Sequence, residues 1–490
     1  MKRFNLFVLH SISIILCSLF IKTITSIFDV YIANKLGAEA LGVYSIIMSI
    51  YMFCVTLATS GVNLAITKVV SEEAEKHNEC AIPKIIKICI TYSLVLGIFS
   101  CILLIFFTPY ICNIILANKV SKFALYILAL SLPFVAVSSA LSGYFLAVRK
   151  MVKTSIIQIF AQFIKIGIIT ILVSLIFKDI NTAVLCLVLG AFISEIFNLI
   201  LLYFLYLKDK RKLTCSYTNG NYSKRVFKIA IPLAITSYIR SGLHTLKHVL
   251  IPLRLKAHNM SYERALTEYG MMSGMALPII MFPSVIVYSY SSLLLPEFSR
   301  YSVELNKERI NNTTSKIFKV TLYFSIAISA ILMIYGNDIG YLLYKNITVG
   351  RYIKLMAPLI VLIYLDNVVD NILKGLGKQI SVMCCNILDL AISVSFIYFL
   401  LPVFGSLGYI IVLYISEILN YVISIITLFK TTDLKFKYIE WVIFPILLIT
   451  LSIIISKFMF LNNIYLQMCI SIVFYSILLL ILTIYKKIKI

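Results

Sequence analysis

Arg240, His244 and Lys247 recur at i, i+4 and i+7, which puts all three on one side of an α-helix, with Ser237 completing the stripe and His248 beside it. Lys22 and Asp29, seven apart, share a face with Ser18 and Thr25. Both groups sit in otherwise apolar stretches, where a charge at mid-bilayer costs about 2.5 to 3.5 kcal/mol on insertion scales. Three fixed cations against one carboxylate, with neutral histidines, leave a positive site whose natural guest is an anion. The blander alternative is that these groups snorkel to the surface or pair privately, Asp29 with Arg240 for instance.

His244 and His248 also have the spacing of a metal-binding pair, but no acidic or cysteine ligand accompanies them. Lys247 between them opposes a cation, so no metal is expected. Lys165 and Glu195 are expected to pair with each other. Their counterparts later in the chain, Asp389 and Glu417, are both acidic. Two carboxylates without an evident cation must be protonated, hydrogen-bonded or ion-bound, which makes Asp389 and Glu417 candidates for a coupling ion, Na+ or H+. Asp366 and Asp370 lie nearer the cytoplasmic end, where Lys374 at i+4 can neutralise Asp370. No other cofactor is expected. HExxH, P-loop, nucleophile-elbow and GxGxxG sequences are absent, which argues against an ATPase or a soluble-type hydrolase.

The surrounding chain has 490 residues, of which 61% are apolar and 13% charged, with a mean hydropathy of +0.99. An ordinary soluble domain is about half apolar and about a quarter charged, and disorder needs the opposite composition. The chain therefore reads as an integral membrane protein. Its formal net charge of +23 fits basic residues gathered on cytoplasmic loops better than nucleic acid, since no basic stretch is long enough for a groove or recognition helix. The eleven cysteines, odd in number and without CxxC spacing, read as small core hydrophobes rather than a disulfide framework or zinc site.

A bilayer core of about 30 Å needs about 20 mostly apolar helical residues. Fourteen such runs occur, near 4–28, 40–66, 84–107, 122–148, 154–177, 181–206, 226–252, 266–295, 314–335, 352–373, 380–401, 406–429, 438–460 and 463–485. The first is too long for a signal-peptide core and is kept as a span. With a cytoplasmic N-terminus the inner segments carry 29 of the 44 basic residues and the outer ones 11, so both termini are expected in the cytoplasm. Continuous apolar runs exclude a β-barrel, leaving an all-α fold.

Ile193-Ser194-Glu195-Ile196-Phe197-Asn198 returns as Ile415-Ser416-Glu417-Ile418-Leu419-Asn420 at an offset of 222. Ala40-Leu41 with Tyr44 answers Ala265-Leu266 with Tyr269, and Pro133 answers Pro358, at 225. The repeat predicts a six-helix lobe over 1–207, a basic, turn-forming linker over 208–225, a second lobe over 226–430, and two appended helices over 431–490. An even number of spans per half makes the repeats parallel, as in two-lobed transporters that rock about a central site. Pro232, Gly270, Gly274, Pro278, Pro283, Pro252 and Pro296 in spans 7 and 8 predict kinked helices lining a cavity.

The stretch Leu36-Gly37-Ala38-Glu39-Ala40-Leu41-Gly42-Val43-Tyr44, with Ser60-Gly61-Val62 through Lys68, resembles the opening of the stage V sporulation protein B and polysaccharide transporter family. Tyr269-Gly270 through Pro278, ending at Leu295-Pro296, resembles that family's span 8. The family belongs to the multidrug/oligosaccharidyl-lipid/polysaccharide flippase superfamily, and the likeness runs in span order over most of the chain. It implies a lipid-linked saccharide as cargo, a cationic cavity on spans 1, 2, 7 and 8, and a lipid-tail groove at spans 13 and 14. Lys22 falls where the pattern has a basic residue. Phe28 and Asp29 fall where one or another relative has arginine, so span 1 is less basic here than in lipid II flippases.

Residues and resemblance together imply a monomeric, non-enzymatic flippase for a polyprenyl-pyrophosphate-linked saccharide, working among membrane lipids in cell-wall or spore-envelope assembly. Lys22, Asp29, Arg240, His244 and Lys247 are its expected substrate contacts. A multidrug/cation antiporter is the competing transporter and should show acids rather than bases in its cavity. A membrane-bound glycan-processing enzyme would need a sizeable catalytic loop, and loops of about twenty residues are too short for a domain.

Overall fold

A computed structural model of the chain describes residues 2–76, 79–116, 120–148, 150–210, 222–304, 306–434, 436–459 and 463–488, and every regular element among them is helical. Ten helices are long and apolar enough to cross a membrane, and two bent pairs each supply a further crossing. Two of the ten are of double length. α1 (Lys2–Thr59) turns at Gly37 (φ 81°), and α14 (Gln379–Thr431) turns at Gly405 (φ 57°). Positive φ is cheap only for glycine, so each long helix divides there into two spans. All fourteen expected spans thus have a helical counterpart.

α2 (Val62–Glu75), α3 (Ile82–Tyr110), α4 (Lys122–Ala147), α5 (Met151–Ile176), α6 (Ile180–Lys210) and α7 (Tyr222–Lys256) follow α1. Asp179 begins α6 by accepting the Thr182 N–H at 2.9 Å, and the Thr182 donors hold its carboxyl below the usual carboxylate range. α8 (Tyr262–Tyr269) passes through a π-helical stretch at Gly270–Ala276 into α9 (Leu277–Met281), then bends by 55° into α10 (Ser284–Val303). The bend falls at Pro283, as the proline count in span 8 predicts. Pro232 and Pro252, by contrast, sit inside an unbroken α7. α11 (Lys307–Tyr344), the bent pair α12 (Ile347–Met356) and α13 (Leu359–Gly375), α14, α15 (Phe444–Met459) and α16 (Ile464–Ile488) complete the chain.

The helices form two compact units, 1–28 with 35–270 and 29–34 with 271–490. The linker expected at 208–225 lies within the first unit's range, and its residues 211–221 are outside the described set. In the first unit, Ile66, Val69, Ile85, Ile86, Phe145 and Val226 build a core between α2, α3, α4 and α7. Arg225 bridges Glu72 and Glu73 at 2.5 and 2.6 Å over this core, and Lys150 meets Asp209 at 2.5 Å. In the second unit, Asn34 donates to the Leu343 carbonyl at 2.6 Å, which ties the last turns before Gly37 to α11.

Two local expectations change. Span 2 is not one helix to residue 66 but breaks at Gly61 (φ 78°), where α2 starts afresh. The cysteines are not all inert core residues. Cys54, Cys89, Cys101, Cys112, Cys186 and Cys385 are buried and free, but Cys80 is engaged in a disulfide.

The Gly61 break also fixes α7, because a β-carbon there would lie 2.2 Å from the Ala230 carbonyl oxygen. Gly61→Val is expected to cost roughly 2 to 5 kcal/mol, combining left-handed strain with overpacking. The check is a fall in Tm and in yield of folded protein in detergent. An unchanged Tm would refute the close approach.

Candidate functional site

α7 is held within the first unit by one of its faces. Tyr238 donates to the Leu57 carbonyl at 3.2 Å, Ser241 to the Thr56 hydroxyl at 3.1 Å, and Thr245 to the Ser49 carbonyl at 2.9 Å. At about 100° per residue these three side chains cluster on one side, and Arg240, His244 and Lys247 lie roughly a third of a turn away. The cationic stripe is therefore separate from the face that docks α7 on α1. Arg240 and His244 are exposed and Lys247 is half-buried.

The two histidines spend their ring nitrogens locally. Nε2 of His244 and Nε2 of His248 are 3.3 Å apart, and Nδ1 of His248 lies 2.5 Å from the Tyr269 hydroxyl at the end of α8. Tyr269 is fully buried. The two imidazoles and the Tyr269 hydroxyl thus form a hydrogen-bonded file. Among the described residues no group of three metal-ligating side chains gathers.

Lys22 belongs to the same compact unit and is half-buried. One turn along, the Thr25 hydroxyl accepts from Gln162 of α5 at 3.0 Å. Asp29 belongs to the second unit, where its charge acts on Tyr344 of α11. Lys165 acts on the charge of Glu195, to which Asn198 is hydrogen-bonded.

The acids of the second unit are gathered more closely than their spacing shows. Asp389 accepts from Ser416 at 2.5 Å, and Ser416 accepts in turn from Ser393 at 2.9 Å. Asp366 accepts from Asn420 at 2.9 Å and feels the charges of Asp370, Glu417 and Asp389. Asp370 is met by Asn386 at 3.2 Å and by Lys374 at 3.6 Å, the i+4 partner expected from sequence. One oxygen each of Asp366, Asp370 and Asn420 is buried with no donor. Three such acceptors in an apolar interior call for a cation or a proton.

α11, α13, α14 and α15 flank an open apolar cleft of about 640 Å³, lined by Leu322, Ile326, Met333, Leu365, Ile425 and Ile446 among others.

Sequence reasoning passed over Tyr269, Asp366 and Asn420 as site residues. Two carried a signal, because Tyr269 and Asn420 each close a repeated motif. Asp366 showed only as an acid inside a span four residues from Asp370; its links to Asn420, Glu417 and Asp389 of α14 lie more than twenty residues away and left no mark in the sequence.

Stage V sporulation protein B of Bacillus subtilis (strain 168) is 21% identical over 421 residues, covering 84% of this chain and 81% of that protein. Lipid II flippase MurJ of the same organism is 23% identical over 365 residues, covering 67% of this chain and 65% of that protein. The fold matches a solved structure of lipid II flippase MurJ in its inward closed conformation with a TM-score of 0.74 at 14% identity, covering 99% of this chain and 100% of that one. A MatE family model matches residues 265–399. The model described as polysaccharide biosynthesis protein matches residues 8–302, well over half of the sequence, and the chain belongs to that family.

Proposed function

We propose that this multi-pass membrane protein is a flippase that carries a polyprenyl-pyrophosphate-linked saccharide from the inner to the outer leaflet by alternating access, in cell-wall or spore-envelope assembly. The observation that carries the reading is the Arg240, His244 and Lys247 stripe on one unbroken membrane helix, set apart from the face that docks that helix. Fixed cations in a medium that excludes water bind a diphosphate far more strongly than they would in solution. Lys22, on a helix of the same unit, would add a further charge. The relatives named for sporulation and for lipid II support a lipid-linked cargo.

Transport against a gradient needs a driving ion, and Asp389 and Glu417 with Asp366 are its proposed seat, for Na+ or H+. The buried acceptor oxygens of Asp366, Asp370 and Asn420 support this. The apolar cleft between α11 and α15 suits an isoprenyl chain. The protein acts as a monomer with both termini in the cytoplasm, a topology supported by the excess of basic residues on inner segments. No covalent step is assigned to it. The acids of α13 and α14, and the MatE match over 265–399, favour a second reading, a cation-coupled multidrug antiporter.

Native mass spectrometry of the protein extracted gently from its own membranes tests the choice. The expected result is an adduct with the mass of a polyprenyl diphosphate saccharide. Bound cationic amphiphiles, with no such adduct, would overturn the flippase reading in favour of the antiporter.

A further inference from the structure

His244 and His248 sit one turn apart on α7 with ring centroids 4.5 Å apart and planes inclined by 52°, and His248 meets the fully buried Tyr269 at the end of α8. At 3.3 Å the two Nε2 atoms hold at most one hydrogen between them, because a hydrogen on each would set two donors head to head. When Tyr269 donates to Nδ1 of His248, neutral His248 must donate through Nε2 to His244, whose Nδ1 then carries its hydrogen outward. Adding one proton reverses the file. His244 then bears hydrogens on both nitrogens, His248 accepts at Nε2 and donates from Nδ1, and the Tyr269 oxygen accepts. The new charge rests on His244, the exposed end, in the same stripe as Arg240 and Lys247.

From this geometry we infer that Tyr269, His248 and His244 form a proton-binding array linked to the α7 anion site, taking up one proton when a diphosphate binds and releasing it when the diphosphate leaves. The inference rests on the anion-site reading above. The charges acting on the two imidazoles are Lys247 and Arg240, from their own helix. α8 presents Tyr269 and carries Glu263 and Glu268 in the preceding turns. α1 presents the Ser49 carbonyl and the Thr56 hydroxyl, and α3 contributes Tyr92, which meets the far end of α7 at Phe227. Two fixed cations oppose a third beside them, and a bound anion removes that opposition.

The test is calorimetric titration of the full-length protein in detergent with farnesyl pyrophosphate at pH 7, in buffers of different ionisation enthalpy. The slope of apparent binding enthalpy against buffer enthalpy counts the protons exchanged. The wild type is expected to take up close to one proton more per ligand than His244→Gln/His248→Gln, a difference in which titration of the ligand itself cancels. Its Kd should weaken up to tenfold per pH unit as pH rises through the transition, and flatten in the double variant. Tyr269→Phe keeps the ring and its packing, and should shift the midpoint of that pH profile if the hydroxyl belongs to the array. It also serves as the readout should the double variant not fold. Equal proton uptake in wild type and double variant, or an unmoved profile in Tyr269→Phe, overturns the array and leaves the anion site standing. Absence of binding to the wild type overturns both.

Discussion

Replacing Arg240 and Lys247 together by glutamine is expected to abolish translocation of a lipid-linked saccharide in proteoliposomes, while membrane insertion and Tm stay near wild type. A hydrogen bond to a charged group contributes about 1.5 to 3 kcal/mol. Losing two of them corresponds to roughly a hundredfold to ten-thousandfold in affinity. Stability should be spared because α7 is held by Tyr238, Ser241 and Thr245, none of which is altered. Arg240→Lys should retain part of the activity, since it keeps the charge but loses the bidentate fork. Unchanged translocation in the double variant would remove the anion from α7 and with it the proposed function.

Asp389→Asn is expected to remove the response to an imposed ion gradient, by at least tenfold in gradient-driven rate, and to leave passive exchange of cargo across the membrane. The carboxylate is the end of a file running from Ser393 through Ser416, so the amide keeps an acceptor for Ser416 but lacks the charge that a cation needs. Asp366→Asn should act in the same direction, because Asp366 feels the charges of Asp389, Glu417 and Asp370. Proteoliposomes with opposed Na+ and pH gradients separate the two candidate ions. Full gradient stimulation in both variants would move the coupling site elsewhere.

The class of fold and the position of most spans were readable from hydropathy. A peptide group left unpaired in hydrocarbon costs several kcal/mol, so any run of about 20 apolar residues must close its own hydrogen bonds as a helix. The α7 stripe was readable for a similar reason, because Arg240, His244 and Lys247 lie within two turns of one helix and their common face follows from spacing alone. The breaks were less visible. Gly61 interrupts span 2 through a left-handed φ and an approach to Ala230, a residue far along the chain, and no periodicity records that.

Sequence by itself thus determined that this is an all-α membrane protein with a cationic face on span 7. Tertiary structure alone decided which distant partner a buried polar group meets. It set Tyr269 against His248, joined Asp366 to Asn420 and to the charges of Asp389 and Glu417, and gave Arg225 to Glu72 and Glu73. The physical reason is range. Helix formation in lipid is decided within a turn or two, by the cost of unpaired backbone. The partner of a buried charge is chosen by packing between helices distant in sequence, where small shifts of a backbone decide which donor reaches which acceptor.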